Sequence, residues 1–214
     1  MSDEADFPID GLLALEPSPD EEAWEAYTIF ALENMGAGNE ATSIDMGTLR
    51  KLEEAIGVQL PFEIGLLLVV GVPESNEWVR WGDDPAHEYA QWNEHVLSRI
   101  LSDVESADFW SPAWGTRPDI RDDRRSVVTA AHANSAALLP LYRNHVVPLT
   151  VAHGEETAES NPILALDGAR VTTVGTDLAA WLNTEFGVPL PMWPETAERS
   201  FQFWSDLIDM GRST

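Results

Sequence analysis

Ile163-Leu164-Ala165-Leu166-Asp167-Gly168-Ala169-Arg170-Val171-Thr172-Thr173-Val174 decides the fold class. Two short apolar, β-rich runs, Ile163–Leu166 and Arg170–Val174, flank Asp167-Gly168, a strong hairpin signal. Upstream, Val146–Val151 is short and β-branched, so three neighbouring strands of one sheet are predicted, the last two joined as a hairpin. Outward from this block the period changes to that of helices. Leu178–Phe186 is one. A last helix is predicted from Pro194, with Phe201, Trp204, Leu207 and Ile208 on its apolar face.

Toward the N-terminus the chain reads as helices. Ser18 and Glu21 form a capping box with Pro19 at the first helical position, and Trp24, Tyr27, Thr28, Ala31, Leu32 and Met35 follow at helical spacing before Gly36. Leu49, Leu52 and Ile56 share a face ended by Gly57. Phe62–Val70 is a short apolar helix stopped by Gly71, and Glu77–Trp81 is a short strand or extended edge. Asp83 or Asp84 caps a helix opened by Pro85, with Tyr89, Trp92, Val96, Ile100, Leu101 and Val104 as its stripe. Another helix is predicted from Pro118 to about Ala137, with Ile120, Val127, Val128 and Ala131 inward. The class is α+β: a small, mostly antiparallel sheet flanked by N-terminal and C-terminal helices.

Composition limits the chemistry. The chain has 214 residues and no cysteine, which excludes disulfides, thiolate nucleophiles and cysteine-based zinc sites. Twelve basic against 37 acidic residues give a net charge of −25. Such a chain repels nucleic acid and anionic membranes and suits basic or neutral partners. The first 49 residues hold twelve acids and no base. The start, Met-Ser-Asp-Glu-Ala-Asp, lacks the positive region of a signal peptide, and no apolar run reaches the ~20 residues of a membrane span. A cytoplasmic location is therefore expected, with neither nucleic acid nor membrane as partner.

Motifs for catalysis are missing. There is no His-Glu-x-x-His pair, nucleophile elbow, P-loop or dinucleotide fingerprint. His87 and His95 are two helical turns, ~12 Å, apart, too far to share one ion. His153-Gly154-Glu155-Glu156 reads as solvent-facing loop charge. Acid pairs such as Asp83-Asp84 and Asp122-Asp123 are expected by chance among so many carboxylates. No enzyme activity, cofactor or metal is expected. Nine tryptophans suit a core layer of large rings, or else an aromatic binding surface. Trp92, on its helix's stripe, is expected in the core, while Trp114 and Trp193, beside breakers, are expected to be the more exposed.

Three stretches carry a family resemblance. The first is Leu52-x₃-Ile56-Gly57-Val58-x-Leu60-Pro61-x₅-Leu67-Leu68-x-Val70-Gly71. The second is Trp78-Val79-Arg80-Trp81-Gly82-Asp83-Asp84-Pro85, continued by Asp108-Phe109-Trp110-x₃-Trp114-Gly115. The third joins Leu139-Pro140-Leu141-Tyr142, Val147-Pro148, Ser160-Asn161-Pro162-Ile163-Leu164 and Val174-Gly175-Thr176-Asp177-Leu178. In this order, over roughly residues 48–186, they resemble the SUKH superfamily, the Smi/Knr-type proteins that include many bacterial immunity proteins. The chain departs from that pattern at Arg143-Asn144-His145, where Gly-His-Arg would stand, and at Thr173-Val174, where paired tyrosines would stand. The resemblance implies residues 41–214 as a single SUKH-like α+β domain, with 1–40 an acidic N-terminal extension carrying one helix.

It also implies a non-enzymatic binding protein, an immunity or antitoxin-like factor that neutralises a cognate toxin. The acidity agrees independently, since a nuclease cleft that holds phosphates is basic. Two clusters without an intervening base are the expected partner-binding residues: Asp20, Glu21, Glu22 and Glu25 on the first helix, and Glu155, Glu156 and Glu159 in the loop after the strand ending near Val151. A regulatory scaffold in envelope or signalling assembly is the alternative. A third, an enzyme or sugar-binding domain, requires a pocket lined by Trp78, Trp81 or Trp114. The sequence leaves the oligomeric state open.

Overall fold

The computed structural model describes residues 21–36, 41–106, 109–149, 159–191, 193 and 197–212. Four helices come first: α1 (Glu21–Asn34), α2 (Met46–Ile56), α3 (Phe62–Val70) and α4 (Pro85–Ser106). Their ends follow local chemistry. Asp45 caps α2, its Oδ1 accepting from the main-chain nitrogens of Gly47 and Thr48 at 2.7 and 2.9 Å, and Gly57 closes the same helix in the left-handed conformation. The expected aspartate cap of α4 is Asp84, whose Oδ1 accepts from His87 N at 3.1 Å. A two-residue ladder, β1 (Ala41–Thr42) with β2 (Val72–Pro73), ties the loop after α1 to the exit of α3.

After α4 come a 3₁₀ turn at Pro112–Trp114, α5 (Arg121–Ala133), and then the sheet. Its strands are β3 (Ala137–Tyr142), β4 (His145–Leu149), β6 (Ile163–Asp167) and β7 (Arg170–Gly175), in the order β3-β4-β6-β7 and all antiparallel. The predicted hairpin is present: Asp167 pairs with Arg170, so the two turn residues are Gly168 and Ala169. Gly168 takes φ 62° there, and the turn rests on α4, where Asp103 Oδ2 accepts from Ala169 N at 2.7 Å. The outer edge of β3 is covered. Val79 N donates to Leu141 O at 2.9 Å and Arg143 N to Glu77 O at 2.7 Å, making the expected extended edge around Trp78 a short continuation of the sheet.

The sheet separates two cores. On one face His145, Val147 and Leu149 of β4 point toward α1, α2, α3 and α6 (Leu178–Phe186), where Tyr27, Leu52, Ile64, Leu67, Trp78 and Trp181 pack. On the other, Leu138, Val146, Leu164 and Val171 meet Ile100 and Val104 of α4, Val128 of α5, and Trp204 and Leu207 of α7 (Trp204–Arg212). Strands buried on both sides need no polar alternation, and β3 and β4 are apolar almost throughout. α1 lies on α3, and its Tyr27 and Ala31 belong to the first of these cores.

Several expectations are corrected. The helix predicted to reach Ala137 ends at Ala133, and residues 137–142 form the first strand of the sheet, because an apolar run buried on both faces lacks a strand's period of two. Ile120 stands 63% exposed before that helix instead of pointing inward. The last helix begins at Trp204, since Ala197–Glu198 (β8) pairs in parallel with Glu159–Ser160 (β5) and Phe203 takes φ 76°, outside the helical region. Trp92 is half-buried. Trp114 and Trp193 are half-buried too, but both are packed, Trp114 against Trp110 and Phe203 and Trp193 against Trp24 and Tyr27. The Ser18 capping box and His153–Glu156 lie outside the described residues.

Candidate functional site

The turn joining β3 to β4 is Arg143-Asn144, and it is strained. Arg143 has φ 49°, the left-handed region that a side chain with a Cβ rarely occupies. Two carboxylates hold its guanidinium. Glu77, on the segment that extends the sheet, takes Nε and Nη2, and Glu185 at the end of α6 takes Nη1 at 3.2 Å. Tyr142 adds its hydroxyl to Glu77 Oε2 at 2.8 Å and lies under the cation, 4.8 Å from ring centroid to guanidinium carbon. The bonds from Arg143 and then Tyr142 hold the Glu77 carboxyl below its usual range. Burial, with help from Glu77, pushes the Tyr142 phenol up to about 12.

Behind this group His145 is buried, and its Nδ1 accepts from Trp181 Nε1 at 3.0 Å. An indole N–H can only donate, so Nδ1 carries no proton and the neutral ring is protonated on Nε2. Burial lowers the pKa of His145 in the same direction. Trp181 is closed from solvent and sits edge-on to Trp78 and Phe186.

Beside the Arg143-Asn144 turn, on the sheet's other face, a cleft of about 400 Å³ opens between α4 and the ends of the two hairpins. α4 contributes Trp92, His95, Val96 and Arg99, one stripe at helical spacing. Val146 and Leu166 supply apolar floor, and Asn144, Asp167 and Gly168 complete the rim. Arg99 Nη2 reaches Asp167 Oδ1 at 2.8 Å, tying the helix to the β6–β7 turn.

A second group of arginines gathers where α5 meets α4. Glu105 near the end of α4 binds Arg121 and Arg125, which draw its carboxyl down to about 2. Arg117 and Arg124 donate to main-chain carbonyls of Val104, Pro118 and Asp119. This arrangement fastens α5 to α4.

Of the acids predicted to bind a partner, Glu21, Glu22 and Glu25 lie exposed on α1, joined by exposed Glu33. Asp20, Glu155 and Glu156 lie outside the described residues. Glu159 is in β5, its main chain paired with Ala197. Trp78 and Trp81 are core rings, 5% and 8% exposed, and neither lines the cleft beside α4. Among the described residues no group of three His, Asp or Glu side chains is placed to hold a metal ion, and no helix is long and apolar enough to cross a membrane. The sequence reading missed Arg143 and the Trp92–His95–Arg99 stripe. The available signals were a polar pair between two apolar runs, and three chemistry-bearing residues at i, i+3 and i+7.

Compared with protein-family models, with curated proteins and with solved structures, the chain matches none.

Proposed function

We propose that this chain is a non-enzymatic binding protein, immunity or antitoxin-like, that neutralises a basic nuclease-type toxin by covering its cationic cleft. The observation that carries the reading is how the charges are deployed. Arg80, Arg99, Arg121, Arg125 and Arg143 are each engaged by carboxylates of the same chain, while Glu21, Glu22, Glu25 and Glu33 on α1 face solvent with no base on their helix. The field that reaches a partner is therefore that of the excess acid. It steers a basic surface toward the protein, mainly by raising the association rate. The resemblance to the SUKH superfamily supports the same reading, and the antiparallel hairpin at 163–175 is compatible with it.

The test begins with whether a toxin-like gene neighbours this one, and uses its product. The purified protein should inhibit that product's nuclease activity stoichiometrically. Stopped-flow association should slow as salt rises. Neutralising Asp20, Glu21, Glu22 and Glu25 together, or Glu155, Glu156 and Glu159 together, should lower the rate and flatten its salt dependence with the fold intact. Wild-type rates and slopes in both variants, or binding without inhibition, would overturn the proposal; the latter outcome favours a scaffold.

A further inference from the structure

The cleft between α4 and the hairpin ends joins a half-buried tryptophan to guanidiniums at its rim, and the acids assigned to partner binding lie elsewhere. In a chain of net charge −25, its lining carries two guanidiniums, Arg99 and Arg143, against one carboxylate, Asp167. Arg99 uses Nη2 on Asp167, and among the described residues no other partner is placed on its guanidinium. Arg143 is held at the opposite turn with its backbone at φ 49° and its side chain fixed by Glu77 and Glu185. Strain kept in place by such bonds is characteristic of binding sites.

The apolar part is equally particular. Trp92, half-buried like Trp24, Trp110, Trp114 and Trp193, is the one that lines the cleft. It stands above a floor made of Val96, Val146 and Leu166. A ring beside aliphatic groups takes a flat hydrophobic body, and guanidinium donors at the rim take an anion. About 400 Å³ is room for a ligand of two fused rings. A monoanion suits the site better than a dianion, because Asp167 on Arg99 and Glu77 and Glu185 on Arg143 already offset the two guanidiniums, and their repulsion grows with the ligand's charge.

We propose that this cleft binds a small aromatic monocarboxylate, its ring against Trp92 and its carboxylate on Arg99.

Isothermal titration with 2-naphthoate, 2-naphthamide and 2-naphthyl phosphate tests this. The acid should bind, and the amide and the phosphate should each bind about tenfold or more weakly, the loss expected when a charge-assisted pair is removed or opposed. Arg99→Gln should bring the acid down to the amide's affinity. Trp92→Leu should weaken acid and amide alike, while Arg50→Gln, at an exposed position of α2, should change neither. Thermal melts confirm that each variant is folded, and Arg99 is exposed enough for its replacement to leave the core intact. No heat of binding for 2-naphthoate at millimolar concentration would overturn the proposal. So would equal affinity for acid and amide, preference for the phosphate, or a folded Arg99→Gln protein that binds the acid normally. None of these outcomes bears on the toxin reading, whose test neutralises acids outside the cleft.

Discussion

Replacing Gly168 by alanine should damage the β6–β7 hairpin twice over. The first cost is conformational: at φ 62° an alanine is disfavoured by ~1–2 kcal/mol, offset in part by the lower entropy of the unfolded chain. The second is steric. A Cβ at this position would lie 2.0 Å from Asp103 Oδ2, the oxygen that accepts the hydrogen bond of Ala169 N at 2.7 Å. Asp103 must swing away, and loss of a hydrogen bond to a charged group costs ~1.5–3 kcal/mol. Together the two effects should remove roughly 2–4 kcal/mol, and lower the Tm of a chain this size by roughly 5–15 °C. A double-mutant cycle separates them. In an Asp103→Ala background the obstacle and the bond are both gone, so Gly168→Ala should cost only the conformational part, ~1 kcal/mol. The assay is guanidinium unfolding of the wild type, both single variants and the double variant. If the two substitutions add within ~0.5 kcal/mol, the packing of the turn on Asp103 carries no energy and the reasoning fails.

Other consequences follow from the same geometry. Glu105 is held near a pKa of about 2 against an ordinary 4.5; a depressed carboxylate stabilises above its unfolded pKa and loses that stability as pH falls through the folded one. Glu105→Gln should therefore be less stable than wild type at pH 7 and converge with it near pH 2, read by urea midpoints. His145 has its pKa lowered by burial, so it should titrate below 6.5 in an NMR series with the proton on Nε2, and the stability tied to it should be present above pH 6.5 and fall away on acidification. Trp181→Ala, at a fully buried ring, should cost ~3–5 kcal/mol; Trp92→Ala, at a half-buried ring, should cost clearly less, and equal losses in denaturant titrations would show that Trp92 is core after all.

The sequence made the helices legible because their ends carry stereochemical punctuation. Gly57, Gly71 and an aspartate before Pro85 mark boundaries that the structure reproduces, and Asp167-Gly168 marks the hairpin, although Asp167 is the last paired residue of its strand and the turn is Gly168-Ala169. Where the chain is buried on both sides that information vanishes. Leu138–Leu141 has no polar partner in its pattern, so the strand could not be told from the end of the preceding helix. The candidate cleft was hidden for a different reason. Trp92, His95 and Arg99 can be grouped from helical spacing, but Arg143, Asn144 and Asp167 join them only through pairing between strands far apart in sequence. The pairing of Arg143 with Glu77 and Glu185 spans 66 and 42 positions, a distance at which local patterns are silent.

The sheet between the two cores also sets a timetable. Its strands occupy residues 137–175, whereas the helices α1 to α4 that pack on it finish at Ser106. During synthesis those helices leave the ribosome before the sheet exists, with only one another to pack against. At ~5–20 residues per second the sheet is complete only after several seconds more. For that interval Leu52, Ile64, Leu67 and Ile100, all sealed in the finished protein, have no sheet to cover them. The twelve acids that precede Arg50 are already outside by then. Their mutual repulsion keeps one nascent chain from adhering to the next, a service rendered before any partner is met.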